Sequence, residues 1–457
     1  MPPAGTPGHT IEGDVERALV RSLGVRTLAA SILNVTVGGG IFIVPAIVAA
    51  SLGAAAPLAY LVCAVAFGLI VLCFAEAGSR VSLTGGPYAY VGTVFGPFIG
   101  YLSGVLLWLL GTIAHAAVAS AFAQALNALV PGAGEGTART ITIVLVFTFF
   151  VVVNSRGVRQ GARLIEVATV AKLVPLAAFV VVGALFVSPA NLVWPAMPRL
   201  ADVGRMSIVL VFAFSGVESA LVPSGEVKSP SRTVPRAIGV AMIAITLLYV
   251  AVQVVAQGVL GTDLPRHADG PLAAAMTRAV GPAGGLLLLV GAAVSMFGYL
   301  SGMMLAIPRT LFAFARDGYL PRALARVHPR THVPVAAIIT HGVVVSALAV
   351  TGSFQSLAVL SNISALLLYL LCSVAAFELR RRNVEMAGGA PYRMPGGAVV
   401  PWLSVGVILF LLSNATPQEM LAVGGALAVF AVLYVVRRPT LRGGRGVPAA
   451  TSAAGAA

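Results

Sequence analysis

Most of this chain is written in apolar runs of about twenty residues, the length that crosses a bilayer as a helix, with its charged residues crowded into the stretches between them. A water-soluble domain cannot bury so much apolar side chain: 58% of the residues are apolar and 10% charged, against about 25% charged in a soluble domain. The pattern predicts an all-α polytopic membrane protein with spans at 27–50, 56–79, 98–126, 139–154, 162–187, 206–226, 236–260, 280–306, 333–351, 355–379, 399–416 and 418–436. In hydrocarbon every backbone N–H and C=O needs a protein partner. A run that cannot stay helical is therefore the informative one.

Two runs have that property. The first contains NVTVGGGIFIVP, Asn34 to Pro45, where three adjacent glycines cost about 3 kcal/mol of helix propensity relative to alanine. A break near Gly38, Gly39 and Gly40 starts a second half-helix at about Gly40, whose unpaired N–H groups and positive dipole end suit a carboxylate. The half-helix ending near Val35 and Thr36 offers carbonyls to a cation, so the pair suits a zwitterion. Taken alone, the stretch reads more simply as a glycine-rich helix contact. The balance changes with the sixth run, MSIVLVFAFSGVESALVPSGE, which is interrupted at Ser215 and Gly216 and carries Glu218 two residues on. The breaks fall in the first and sixth spans, a repeat of five, and an odd number of spans per repeat inverts the second half in the membrane. Matching breaks in two five-span halves point to an inverted-repeat transporter. Glu218 must be paired or protonated there.

The formal net charge of +14 does not imply a nucleic-acid partner, because the basic residues sort by side. They flank the first span and follow the second, fourth, sixth, eighth, tenth and twelfth. Only Arg139, Arg199, Arg205, Arg266 and Arg278 fall on the other side, with Lys172 inside a span. The positive-inside rule then puts both termini in the cytoplasm. The first apolar run begins only near residue 27, after Glu12, Asp14 and Glu16, so it is expected to stay as an anchor and not to be a cleaved signal. The expected organisation is a disordered N-terminal segment over 1–25, a transport core over 26–397 with repeats at about 26–190 and 205–380, two further helices over 398–437, and a disordered tail over 438–457. No cofactor, metal or enzymatic site is expected: the chain has no paired His/Glu metal motif, no Ser-His-Asp spacing and no Walker loop. Cys63, Cys73 and Cys372 lie within apolar spans and read as small core residues.

Three further sites are candidates. Glu76 ends the second span ahead of the turn at Gly85, Gly86 and Pro87, and is expected to pair with Arg80 one helical turn on. His115 lies among alanines with Thr112, Ser120 and Gln124 nearby; it is a hydrogen-bonded structural histidine or a proton carrier. Lys172 is one of only two lysines and sits about ten residues into the fifth span, too deep to snorkel easily. It is either bonded to helix-end carbonyls or exchanges its proton during transport, which an arginine would not do.

Four motifs, GGGIFIVP, GGPYAYVG, FAFSGVESALVPSGEVKSPSRTVPRAI and PRTLFAFARDGYLP, together resemble the amino acid/polyamine/organocation (APC) superfamily of permeases, and occur in that family's order. The resemblance implies the fold of the bacterial leucine transporter, with two inverted five-helix repeats plus two C-terminal helices, in a monomer or homodimer of the cell (inner) membrane. By position, Gly38, Gly39 and Gly40 would contact the substrate carboxylate, the carbonyls of Thr36, Phe212 and Ser215 the amino group, and Phe212 would gate the site beside Gly216. Lys172 would occupy the place that Na⁺ takes in sodium-driven members, and with Glu218 would serve gating or proton coupling. Phe212 and Thr112 stand where arginine/agmatine exchangers carry tryptophan and asparagine. A pocket of Leu107, Trp108, Thr112, Phe212 and Met303 then suits a neutral or apolar amino acid. The resemblance leaves open an exchanger without proton coupling, a sodium symporter using Ser295 and Ser301, and, less favoured, a channel.

Overall fold

The computed structural model describes residues 23–442 apart from 84, 157, 223, 225, 226, 317, 332, 387 and 388, and side chains apart from those of 158–169, 316 and 437–442. The chain is helical: the described residues contain no strand, only an isolated bridge between Leu23 and Val227. The expected disordered segments at 1–25 and 438–457 lie almost wholly outside the described residues.

The first expected span is two helices, α1 (Val25–Thr36) and α2 (Gly40–Leu52), divided at the glycines. They are followed by α3 (Ala56–Arg80), α4 (Pro87–Leu129), α5 (Gly136–Ser155) and α6 (Val158–Gly183). The sixth run is also two helices, α7 (Leu200–Phe214) and the single turn α8 (Val217–Ala220). Then come α9 (Pro230–Leu260), α10 (Pro271–Val280), α11 (Pro282–Ala306) and α12 (Pro308–Arg316). The chain ends in α13 (Val335–Thr351), α14 (Phe354–Arg381), α15 (Val399–Ser413) and α16 (Pro417–Arg442). Eight continuous or near-continuous helical stretches are long and apolar enough to cross a membrane, and Val170–Phe186, Val335–Thr351 and Val399–Ser413 are shorter apolar helices. Found among the described residues, these helices make the chain a polytopic membrane protein.

Two departures from the expected spans have local causes. α4 starts eleven residues before the expected 98, and its first part is set off by a kink at Gly96, where φ is 80° and Pro97 follows; proline removes the donor that would close the turn. The connection expected over 261–279 contains α10, which buries Leu272, Ala275 and Met276 against its neighbours. Ten residues cannot span a bilayer, but they can fold back over α11, which α10 packs against.

α4 and α14 pack along one another at the centre, α9 lies on α3 and α1, and α11 lies on α6 and α4. α16 leaves nearly all of its apolar surface uncovered, as a helix facing lipid does. The alanine-rich part of α4 is buried at Ala116, Ala117, Ala119, Ala121 and Ala123, where small side chains let helices approach closely. At the end of α3, Glu76 is fully buried and pairs with Arg80 as expected, at 2.9 Å. It also accepts from Arg380 Nε at 2.8 Å and from the backbone N–H of Met394 at 3.1 Å. Breaking such a buried pair strands a charge, so this carboxylate fastens the segment after α14 to α3.

Candidate functional site

The two broken helices cross at their breaks. Gly216 holds φ at 138°, a conformation that side chains rarely adopt, and it sits directly on the first break. A Cβ there would lie 2.7 Å from the Thr36 hydroxyl and 2.9 Å from the Thr36 nitrogen. A Cβ on Gly40 would likewise lie 3.2 Å from the Phe212 ring and 3.4 Å from Ala213 Cα. Tyr249 of α9 fastens the crossing: its buried hydroxyl is 2.9 Å from both the Thr36 and the Ala213 carbonyl. The Thr36 carbonyl also accepts from Gly38 N at 2.8 Å. Helix-end groups freed by the breaks are thus met partly by one aromatic side chain, as hydrocarbon requires.

Around the crossing is a narrow cavity. Thr36, Gly38, Gly39, Gly40, Phe212, Ser215, Gly216 and Glu218 all line it, as does Met303. Thr112, Leu107 and Trp108 do not. α4 presents Leu110, Gly111, Ala114 and Val118 instead, while Trp108 meets Phe430 of α16, with ring centres 5.9 Å apart. Residue 112 lies about 200° round the helix from 114, so the two cannot share the cavity face. Tyr299, against which a Cβ on Gly38 would abut at 3.0 Å, also lines the cavity; an apolar run offers no local signal that singles it out.

Glu218 is the one carboxylate in the lining, and protein donors already hold it. Its Oε2 accepts from Gly216 N at 3.1 Å and from the Tyr369 hydroxyl at 2.8 Å. It therefore braces the second break and joins it to α14. Phe212 is nearly buried and meets Phe354 edge-on, with ring centres 5.4 Å apart.

Lys172 on α6 is fully buried, and its Nζ donates to the carbonyl of Asn34, in the last turn of the half-helix that ends at Thr36. Ser295 Oγ lies 3.4 Å from the Gly38 carbonyl. Ser301 is six residues further along α11, about 240° round the helix, and its buried hydroxyl has no hydrogen-bond partner. The two serines do not converge. His115 is outside the cavity, with Nδ1 3.1 Å from Nε2 of His341 on α13 and an edge contact to Phe147. His341 is distant in sequence and no motif marks it.

Two broken helices crossing at a cavity inside a multi-pass helical protein define the membrane-transporter class. The comparisons agree: a family model described as amino acid permease matches residues 23–436, and this chain belongs to that family. It is 27% identical over 421 residues to the branched-chain amino acid permease BcaP of Bacillus subtilis, covering 87% of this chain and 89% of the relative. It is 27% identical over 435 residues to the methylthioribose transporter of Bacillus subtilis, covering 92% and 93%. An uncharacterised transporter of Mycobacterium tuberculosis is 32% identical over 437 residues, 94% of each chain. These relatives are transporters and permeases, and the chain is not an enzyme.

Proposed function

We propose that this permease carries neutral, apolar amino acids across the cell membrane by alternating access, driven by protons through Lys172. The observation that carries the reading is the crossing itself: a narrow cavity edged by the backbone of two breaks, whose carboxylate is already committed to Gly216 and Tyr369. Such a site holds a zwitterion by helix ends and leaves an apolar wall for the side chain. Gly38, Gly39 and Gly40 take the carboxylate, the carbonyls of Thr36, Phe212 and Ser215 take the amino group, and Phe212 closes over the ligand. The relative named for branched-chain amino acids supports an apolar side chain; the one named for methylthioribose supplies the rival substrate.

The architecture that goes with this reading is twelve spans in two inverted five-helix repeats, about 26–190 and 205–380, with two further helices over 398–437 and both termini cytoplasmic. The contact of Lys172 with Asn34 supports coupling at the first break, because an amine that is protonated and deprotonated there changes what the half-helix end must satisfy. The rivals are exchange without proton coupling and sodium symport.

Uptake by the purified protein in liposomes decides among them, with unlabelled leucine, valine, serine, arginine and methylthioribose as competitors. The proposal expects competition by leucine or valine, acceleration by an inward proton gradient, indifference to Na⁺, and loss of the pH dependence in Lys172→Ala. Strict Na⁺ dependence, or an unaltered pH profile in that variant, refutes the coupling. Competition by methylthioribose alone refutes the substrate class.

A further inference from the structure

A second cavity lies next to the first, and the two have no lining residue in common. On the first broken helix, Phe42 and Ile43 of the second cavity follow Gly39 of the first by three and four residues. On α4, Ala121 and Ala125 follow Val118 by three and seven, and on α11, Met296 and Ala292 precede Tyr299 by three and seven. Such spacings keep a residue on one face of its helix. Each of the three helices therefore lines the first cavity and then, further along the same face, the second. α10 packs on both α2 and α11 and covers the second cavity with Leu272 and Ala273. Gln124 and Asp269, both exposed, complete the lining at its far end, so the cavity meets solvent on the face that carries the connection 261–279.

One buried side chain stands between the two. Met296 lines the second cavity, and its Cγ and Cε lie 3.1 and 3.4 Å from where a Cβ on Gly39 would sit, with Val118 Cγ1 3.5 Å from the same point. Gly39 and Val118 both line the first cavity, so the thioether chain is laid across its edge. Methionine is unbranched and adapts its rotamer readily. The second cavity offers a swung side chain space beside Ala121, Ala125, Ala273 and Ala292. A β-branched residue in the same place would be stiff at its first torsion and would need a helix to shift. Phe212 lines only the first cavity, where it meets Phe354; the two side chains close different sides of the site.

We infer that the second cavity continues the substrate path towards the face that carries 261–279, and that Met296 is the partition that must swing aside for substrate to pass between the two. Apart from Gln124 and Asp269 the wall of the second cavity is apolar, as suits the passage of an apolar side chain. The path rests on transport through the crossed breaks, as proposed above; the partition itself does not.

Thiol reactivity in membrane vesicles is the test. Cys63, Cys73 and Cys372 are all buried, so single cysteines introduced into the full-length protein can be followed with the membrane-impermeant reagent MTSET in right-side-out and inside-out vesicles. Thr262→Cys, exposed in the connection, marks the set in which that face is outside. In that set Ala125→Cys should react, and its modification should slow uptake of radiolabelled leucine at least about tenfold, as a blocked path requires. An unreactive Ala125→Cys, or unchanged uptake after its modification, overturns the path with Met296 left in place. Val118→Cys should react slowly, and at least about tenfold faster when combined with Met296→Ala, because thiol exchange follows access. Ala117→Cys, which is buried and lines neither cavity, should stay unreactive in both backgrounds. Equal Val118→Cys rates with Met296 and with Met296→Ala overturn the partition, and so does an equal rise at Ala117→Cys, which would mean a general loosening. A protein that takes up no leucine refutes the substrate class given above and leaves the Val118→Cys rates to decide the partition.

Discussion

Replacing Gly216 with alanine tests how closely the two breaks must approach. The backbone there holds φ at 138°, and a side chain held in so sparsely populated a region costs about 1–3 kcal/mol. The added methyl would also lie 2.9 Å from the nitrogen and 3.0 Å from the Cα of Thr36. These are backbone atoms that cannot rotate aside, and overpacking of this kind costs about 1–3 kcal/mol more. Together the two effects come to about 2–6 kcal/mol, of which even the lower bound, if it falls on the crossed arrangement that holds substrate, is about 30-fold in affinity. The assay is equilibrium binding of radiolabelled substrate to purified Gly216→Ala, with the apparent melting temperature measured on the same sample. Gly424→Ala on α16 is the control, since a Cβ there meets nothing within 4 Å. If Gly216→Ala binds within about threefold of the unmodified protein and melts with it, the close crossing of the breaks is not what holds the ligand.

Gly40→Val should abolish binding by forcing apart Phe212 and Ala213, and Gly39→Val should do the same against Met296 and Val118; a β-branched residue at either place also closes the approach to the backbone, and normal affinity in either variant would remove these glycines from the site. Phe212→Ala should speed the release of bound substrate, measured by dilution of labelled protein, with no change in release counting against a gating role. Glu218→Gln should slow transport by more than it weakens binding, because the amide must still meet Gly216 N and the Tyr369 hydroxyl as the helices move; the reverse pattern contradicts the brace. Arg139 donates to the carbonyls of Ala349, Val350 and Gly352 and to Ser120 Oγ, so Arg139→Ala should destabilise the end of α13 by about 2–4 kcal/mol with substrate affinity retained, and an unchanged melting temperature would show those bonds to be idle.

Both breaks were legible in the sequence because their causes are local: three glycines at 38–40, and Ser215 with Gly216 inside an apolar run. Glu76 and Arg80 were legible for the same reason, being one helical turn apart. What completes the site comes from distant parts of the chain. Tyr249 ties the breaks together and Tyr369 holds Glu218, yet each is one tyrosine in an apolar helix, and nothing nearby in sequence says that its hydroxyl has a carbonyl or carboxylate to meet. His341 is hidden in the same way from His115. Ala114 lines the cavity and Thr112 does not, a difference of helical phase that side-chain chemistry alone does not settle when both faces of α4 are apolar. α10 carries no span signal, because its ten residues are too few to cross a bilayer and follow directly on Asp263, Arg266 and Asp269.

The central claim, that crossed helix breaks hold both ends of a zwitterion, is tested most directly by binding three ligands to the same purified protein by isothermal titration: the best amino acid substrate from the liposome panel, its decarboxylated amine, and its deaminated acid. The account predicts that each analogue binds at least about tenfold more weakly than the amino acid, since each loses its contacts with one set of helix ends. Binding of either analogue as tight as that of the amino acid would contradict it.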